Sequence, residues 1–396
     1  MRAHYSVRRA IFSCLLCIFV TACSHADPSL PPVIPPGGNG GPPPTSTPGP
    51  TPTPVQTATP TPGPSSTPGF NPALVHITEH KVAVTPLYLA AGPDHAAYFG
   101  FGANGSGSNL YRYISGSIVE TTPANPPSGY APGGGVYGIT VTNSGRVFWL
   151  SAYFGPSFSL YVTVECGGSG GKASICQPTV DEPTSMLVDS SGSFWVAGLS
   201  FNGGGQIVTS SNASASFARA SVMQILNGPG LRVWGALADF SQSPTQYSIA
   251  EFVVSGHSIA IQHDYVLPRG DSVASMTLGG DGDLWFTDNQ RNAIGRMTAS
   301  GSLREFPLRS PNALAAPFYG QWQIATSCDG AVWFTEPGPD NVGRMDSSGR
   351  LNEFALPTPG ALPGPIAAAP SLDRRCGSGE LWVGEEHANA LAEVHF

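Results

Sequence analysis

Acidic residues recur at the ends of short aromatic runs in the last third of the chain. The runs are Trp285-Phe286-Thr287-Asp288, Trp333-Phe334-Thr335-Glu336 and Trp382-Val383-Gly384-Glu385-Glu386, and His387 follows the last of them. Carboxylates that converge can bind a cation or a polar ligand. An imidazole in such a site can act as a general base. Either chemistry requires a fold that brings the three runs together.

The runs belong to a tandem repeat with a period near 48 residues. The first two are each preceded by a glycine turn and followed by a Gly-Arg-Met segment and a Glu-Phe pair. Short strands separated by glycine turns at such a period are typical of propeller blades.

One internal spacing traces the repeat upstream. An apolar residue of the first strand lies nine positions before an aromatic residue of the second in the pairs Leu89/Tyr98, Ile139/Phe148, Met186/Trp195, Ile225/Trp234, Met276/Trp285 and Ile324/Trp333. A seventh repeat keeps Ile366 and Trp382 around an insertion that contains Cys376. The pattern predicts an all-β protein, a seven-bladed β-propeller of four-stranded blades over residues 71–396, with each aromatic residue filling the space between adjacent blades.

The last repeat has three strands, and residues 75–82 resemble the missing fourth. Thr78-Glu79-His80 stands where an earlier repeat has Arg304-Glu305-Phe306. We expect this N-terminal strand to close the ring by pairing with the last blade, which leaves no open sheet edge.

The N-terminus has the features of an export signal. Arg2, Arg8 and Arg9 precede an apolar stretch over 10–20 that is too short to span a bilayer. Val20-Thr21-Ala22-Cys23 matches the bacterial lipobox, which predicts a signal peptide over 1–22 and lipidation of Cys23. An ordinary signal peptide with an incidental cysteine is the alternative. A lipidated Cys23 would attach the protein to a membrane of the bacterial cell envelope, on the periplasmic side or at the cell surface.

Residues 23–70 are rich in Pro, Thr and Gly, and this composition cannot bury a core. We expect an extended stalk that reaches on the order of 100 Å. The net charge of −8 argues against a nucleic-acid partner. No second hydrophobic run of membrane-spanning length follows the signal, and we expect a monomer.

Four cysteines remain once the signal and Cys23 are set aside: Cys166, Cys176, Cys328 and Cys376. An even number in an oxidising compartment indicates disulfides. We favour Cys166–Cys176 across a hairpin and Cys328–Cys376 between corresponding positions of neighbouring repeats. Metal ligation is the alternative, although no Cys-x-x-Cys spacing supports it.

In a propeller, second strands end and first strands begin at the same face around the central channel. This predicts a ligand-binding set that combines the acids with residues from strand starts: Asp288, Glu336, Glu385, Glu386, Tyr137, Thr184, Met223 and Trp322. Alternatively, the acids are solvated loop ends and Trp322 is blade packing. Glu386 and His387 are the candidate catalytic residues, and for His387 the alternative is an exposed loop histidine.

Residues 281–297 resemble the blade motif of the streptogramin (virginiamycin B) lyase family. The resemblance is close over 270–396 and is mostly one of spacing over 75–269. It implies a seven-bladed propeller and an activity that opens a cyclic depsipeptide antibiotic by elimination at its ester, with Mg²⁺ and a histidine base.

At the positions of the family's two functional histidines this chain has Trp322 and Gly364, and Leu362 replaces a preceding glutamate. Glu386 matches a retained family acid. Neither Trp nor Gly can accept a proton, so we expect the lyase chemistry to be absent. The sequence therefore favours a non-enzymatic module that binds a ligand, glycan or protein. A Mg²⁺-dependent carbon–oxygen lyase with altered catalytic residues and a structural envelope protein are the alternatives.

Overall fold

The computed structural model describes residues 70–101, 109–122, 131–154, 160–167, 171–172, 174–178, 182–199, 204–315, 323–369 and 380–396. Across these ranges the regular structure consists of β-strands and two 3₁₀ turns, Pro72–Leu74 and Pro229–Leu231. None of the described segments forms a helix of the length and apolarity that a bilayer crossing requires. The signal peptide, Cys23 and the stalk lie outside the described residues and stay predictions.

The strands form successive four-stranded antiparallel units, here called blades 1 to 7. The first strand, β1 (His76–Lys81), precedes blade 1, which contains β2 (Tyr88–Ala91), β3 (Ala97–Gly100), β4 (Leu110–Ile114) and β5 (Ser117–Thr122). Blade 2 contains β6 (Ala131–Val141), β7 (Val147–Phe154), β8 (Leu160–Gly167) and β10 (Ser174–Pro178), while the short β9 (Gly171–Lys172) pairs parallel to β5.

The middle of the chain forms blades 3 and 4. Blade 3 contains β11 (Glu182–Val188), β12 (Phe194–Leu199), β13 (Gly205–Thr209) and β14 (Ser214–Phe217). Blade 4 contains β15 (Ala220–Asn227), β16 (Val233–Asp239), β17 (Gln246–Ser255) and β18 (Ser258–Val266). A parallel bridge between Ser214 and Ser258 joins the two blades into one eight-stranded sheet.

The repeats that are most regular in sequence form blades 5 to 7. Blade 5 contains β19 (Ser275–Leu278), β20 (Leu284–Asp288), β21 (Ala293–Met297) and β22 (Leu303–Pro307). Blade 6 contains β23 (Ile324–Thr326), β24 (Val332–Glu336), β25 (Asn341–Met345) and β26 (Leu351–Ala355). Blade 7 contains β27 (Pro363–Ala368), β28 (Glu380–Glu385), β29 (Ala390–His395) and, at its outer edge, β1.

The first strands of the blades contact one another in cyclic order, from β2 through β6, β11, β15, β19, β23 and β27 back to β2. β1 runs antiparallel to β29, from His76 opposite His395 to Lys81 opposite Ala390. The N-terminal strand therefore covers the edge that β29 would otherwise expose. This order of contacts is the one expected of seven blades arranged in a ring.

The nine-residue spacing corresponds to a fixed strand register. In blade 5, Met276 pairs with Phe286 and the next residue, Thr277, pairs with Trp285. Trp285 then packs against Ile324 and Phe334 of blade 6 in one buried cluster. The same arrangement places Trp234 against blade 5 and Trp333 against blade 7. The prediction that the aromatic residue fills the space between blades is confirmed.

The glycine of each Gly-Arg-Met segment is required by the neighbouring strand. A Cβ on Gly295 would lie 2.2 Å from the Phe286 ring, and a Cβ on Gly343 would lie 2.4 Å from the Phe334 ring. The second-strand phenylalanine therefore lies directly over the third strand. Any larger residue at these positions would displace a core ring.

Cys166 and Cys328 are both disulfide-bonded. Cys166 on β8 pairs in register with Ser174, two residues before Cys176. The pairing of Cys166 with Cys176 and of Cys328 with Cys376 stays a prediction, because Cys376 lies outside the described residues and the side chain of Cys176 is not described.

Candidate functional site

The first strands of four blades have an irregularity at one position of the repeat. The register between first and second strands shifts at Tyr137 in blade 2, Thr184 in blade 3, Met223 in blade 4 and Gly364 in blade 7. A bulge of this kind redirects a side chain and ends regular pairing. Regular pairing between the first and second strands is therefore interrupted at the same position of the repeat in four blades.

Two tyrosines from neighbouring blades lie side by side at this level. The ring centroids of Tyr88, the first residue of β2, and Tyr137 are 6.1 Å apart, with the rings tilted by 51°. Burial raises the pKa of Tyr88 well above its usual range, and the charges of Tyr137 and Glu386 raise it further. Tyr88, Tyr137 and Glu386, contributed by blades 1, 2 and 7, are called the Tyr–Glu site below.

Glu386 is the acidic member of the site. It follows the end of β28, and its backbone N–H donates to the carbonyl of Leu362 over 3.1 Å. Only 8% of the residue is exposed, and burial raises the pKa of its carboxyl from 4.5 to about 7. Its Oε1 is buried without a hydrogen-bond partner among the described residues. The site therefore holds a carboxyl that changes charge near neutral pH.

Gly364 leaves the space that Glu386 occupies. A Cβ on Gly364 would lie 2.4 Å from Oε1 of Glu386. A histidine at this position, as the family resemblance would require, could not enter unless Glu386 moved away.

His387, the other candidate catalytic residue, follows Glu386 directly. The residue is exposed, and its backbone N–H donates to the carbonyl of Ala361 over 3.1 Å. This matches the alternative of an exposed loop histidine. Within the described residues, Glu386 is the carboxyl whose charge acts on Tyr88.

Asp288, Glu336 and Glu385, which were predicted to form an acidic arc at the channel face, are not exposed. All three are fully buried at the ends of their second strands. Alternate residues of a strand face opposite sides, and Asp288 shares its side with Phe286, which packs against Trp234 of blade 4. In Asp288, Oδ1 accepts hydrogen bonds from the Ser272 hydroxyl and from the backbone N–H groups of Gln290 and Arg291, so this carboxylate stabilises the loop that follows its own strand. Glu386 lies one residue beyond the end of β28, so the alternation of strand residues does not fix the direction of its side chain.

Each of the three buried acids faces another acid on the fourth strand of its own blade. The pKa of Glu336 is raised to about 7 by burial first and by Glu353 second. The pKa of Glu385 is raised to about 8 by burial first and then by Glu79 on β1. In blade 5 it is the outer acid, Glu305, whose pKa rises to about 7, through burial and then the charges of Asp271 and Asp288. Burial and a neighbouring negative charge both favour the protonated form of a carboxyl, so each of these pairs binds a proton more readily than exposed carboxyls do.

The other predicted site residues have mixed outcomes. Tyr137 is in the site, whereas Trp322 lies outside the described residues. The hydroxyl of Thr184 donates to the carbonyl of Val222 in the next blade over 2.6 Å, and Met223 packs against the cluster between blades 4 and 5. Tyr88 was not predicted. It is an aromatic residue immediately before Leu89, which is the only sequence signal that could have indicated it.

The family resemblance implies Mg²⁺, and Glu386 is the one carboxylate that this chain keeps at the positions compared with the family. Mg²⁺ is usually held by one or two carboxylates together with waters and substrate oxygens in octahedral geometry. Here Leu362 and Gly364 offer no side-chain ligand. Among the described residues, Glu386 belongs to no group of three His, Cys, Asp or Glu side chains that could hold an ion.

Sequence comparison connects the C-terminal part of the chain with one family. Residues 245–396 match the model of the Virginiamycin B lyase family. Among curated protein sequences, none matches the chain significantly.

Solved structures resemble the whole propeller. A catalytically inactive virginiamycin B lyase from Staphylococcus aureus, crystallised with quinupristin, has a TM-score of 0.58 at 18% identity, covering 81% of this chain and 99% of the other. A streptogramin B lyase has a TM-score of 0.60 at 19% identity, covering 81% of this chain and 97% of the other. The β-propeller domain of Cps50 (Swd1) from Myceliophteria thermophila has a TM-score of 0.52 at 10% identity, covering 80% and 99%. At these identities the similarity establishes the fold.

Proposed function

We propose that this virginiamycin B lyase-like β-propeller is a non-enzymatic binding module whose ligand contacts the Tyr–Glu site. One observation carries the proposal: the buried carboxyl of Glu386 fills the space beside Gly364, where the lyase resemblance would place a histidine. The module thus has a carboxyl whose charge acts on one of two adjacent tyrosines, but it lacks the histidines that the resemblance assigns to the elimination.

The chemistry of the site indicates the class of ligand. Tyr88 and Tyr137 contribute two adjacent, partly exposed aromatic rings, each of which carries a hydroxyl group. Glu386 has a pKa of about 7, so above neutral pH it is an anionic acceptor. The complementary ligand has an apolar or aromatic face and an N–H or cationic group that donates to Glu386.

Elimination beside a carbonyl requires a base and an electrophile that stabilises the developing enolate. Gly364 and Leu362 can supply neither. A second candidate function, an enzyme with altered catalytic residues, is favoured by one observation, the pKa of about 7 for Glu386. A carboxyl of that pKa is suited to accept a proton at neutral pH.

We further propose that lipid on Cys23 and the stalk over 23–70 attach the propeller to the bacterial cell envelope. The lipobox Val20-Thr21-Ala22-Cys23 supports this. Mass spectrometry of the N-terminal peptide from membranes should show an acylated Cys23, and Cys23→Ser should release the protein from the membrane fraction. Retention of Cys23→Ser on membranes would contradict the anchor.

Calorimetric titration with quinupristin tests the binding function. We expect binding that is roughly tenfold tighter at pH 8 than at pH 6, because ionisation of a carboxyl with pKa about 7 changes about that much over this range. Glu386→Gln should remove the pH dependence, and Glu120→Gln, at an exposed position of blade 1, should leave it unchanged. Failure of wild type to bind would contradict this ligand class, and equal pH profiles for wild type and Glu386→Gln would exclude Glu386 from the site.

A further inference from the structure

A group of histidines and glutamates lies at the end of β28 opposite to Glu386. Glu380 is the first residue of β28, whereas Glu385 is its last, so the two ends lie roughly 17 Å apart. Glu380 pairs in register with His395 on β29, and His395 pairs with His76 on β1. Residues directly opposite one another share a sheet face, so three strands contribute to the same surface.

Three donor atoms converge there. One ligand atom from each of Glu380, Glu393 and His395 lies within 4.8 Å of the other two, and Nε2 of His395 is 3.1 Å from Oε1 of Glu393. Zinc–ligand bonds of about 2.0–2.2 Å bring tetrahedral ligand atoms to roughly 3.3–3.5 Å from one another. Small side-chain rotations therefore suffice to place the three atoms around one ion.

The remaining carboxylate oxygens are already oriented by other histidines. Nε2 of His80 lies 2.7 Å from Oε2 of Glu393, and Nδ1 of His95 lies 3.0 Å from Oε2 of Glu380. Hydrogen bonds of this kind to the distal atom of a ligand fix its orientation in metal sites. They leave the Oε1 atoms of both glutamates for the ion.

Glu380 provides the observation that distinguishes this group from ordinary ion pairs. Its side chain is 10% exposed, and its Oε1 is buried without a hydrogen-bond partner among the described residues. A buried carboxylate oxygen without a donor is costly unless a proton or a cation compensates it. Glu393 and His395, the other two members of the group, would be the further ligands of such a cation.

We propose that Glu380, Glu393 and His395 form a binding site for a zinc-class divalent cation. Imidazole together with carboxylate suits Zn²⁺ and its neighbours in the first transition row better than Ca²⁺ or Mg²⁺, which take oxygen ligands. His76, opposite His395 in register, is positioned to supply a fourth ligand. The ion would join β28 to β29, and through His80 and His95 its ligands contact β1 and blade 1. It would therefore stabilise the region where the N-terminal strand pairs with the last strand.

The test is calorimetric titration of the purified protein, without an oligohistidine tag, with ZnCl₂. We expect one site that is at least tenfold weaker in Glu380→Gln and in His395→Gln. His80→Gln should also weaken binding, because His80 orients Glu393 and loss of such a partner typically costs 10–100-fold in affinity. The matched control is His263→Gln, since His263 is paired with Glu251 over 2.7 Å on blade 4 in a similar His–Glu contact that belongs to no three-ligand group in the described residues.

Two further measurements separate metal binding from folding. Circular dichroism of the metal-free variants establishes that they fold, which we expect because 41% of the His395 side chain is exposed. Co²⁺ in place of Zn²⁺ should give visible ligand-field absorption in wild type and His263→Gln but not in His395→Gln. Zinc binding that is equal in wild type, Glu380→Gln and His395→Gln, or a wild-type protein that binds no zinc, would overturn the proposal.

Discussion

The buried pair of Glu385 and Glu79 predicts how stability responds to pH. Glu385 is fully buried at the end of β28, and burial followed by the charge of Glu79 raises its pKa from 4.5 to about 8. A carboxyl whose pKa is raised in the folded state contributes stability that is fully present below pH 4.5 and is lost as pH rises through about 8. The protein should therefore be less stable at pH 9 than at pH 5.

The magnitude follows from the two pKa values. A rise from 4.5 to about 8 corresponds to about 5 kcal/mol between the two limits. We reduce this to about 2–3 kcal/mol, because relaxation and solvent screening lower the effective cost of such charges. Glu385→Gln keeps the shape and an N–H donor toward Glu79 but removes the charge. It should leave stability near that of wild type at pH 5 and raise it by about 2–3 kcal/mol at pH 9.

Urea unfolding followed by tryptophan fluorescence at pH 5, 7 and 9 measures this difference. Glu251→Gln is the control with the opposite sign. Burial alone would raise the pKa of Glu251, but Arg232 and His263 lower it below its usual value. The Glu251→Gln substitution should therefore destabilise the protein at neutral pH. Parallel pH profiles for wild type and Glu385→Gln would refute the assignment of a buried, protonated Glu385.

Three further changes test the packing between blades, the position of Glu386 and the closure of the ring. Trp285→Ala should lower the free energy of unfolding in urea by about 3–5 kcal/mol, because it empties a fully buried position between blades 5 and 6. A decrease of less than about 1 kcal/mol would contradict that packing. Gly364→Ala should weaken quinupristin binding by displacing Glu386, since the new Cβ would lie 2.4 Å from Oε1 of Glu386. Circular dichroism should show an intact fold. An unchanged affinity for quinupristin would argue against the described position of Glu386. Deletion through residue 81 removes β1 and uncovers β29, so it should lower the melting temperature and promote aggregation; a melting temperature equal to that of wild type would show that β1 does not close the sheet.

The sequence was a good guide to the fold because blade packing repeats. The spacing between Met276 and Trp285 reflects a register that every blade shares, and the large aromatic residue must fill the same gap each time. The resemblance of residues 75–82 to a fourth strand likewise corresponds to the pairing of β1 with β29. Such features follow from local pattern and can be predicted without knowledge of side-chain direction.

The site was predicted only in part, because side-chain direction depends on details that no repeat encodes. Asp288 ends its strand on the same side as Phe286 and is buried, whereas Glu386 lies beyond its strand and its charge acts on Tyr88. Tyr137 lies at a shift in the register between β6 and β7. Tyr88 was missed because β2 pairs with β3 without such a shift, so the residue at the site is one position later in the repeat than in the other blades.

Turnover of quinupristin tests the central claim most directly. The purified protein is incubated with quinupristin and Mg²⁺, and the products are separated by liquid chromatography and identified by fragmentation, since elimination leaves the intact mass unchanged. A binding module with glycine at position 364 should return quinupristin with its ring closed. A ring-opened isomer that forms with wild type and is lost with Glu386→Gln would contradict the account and identify Glu386 as a catalytic base.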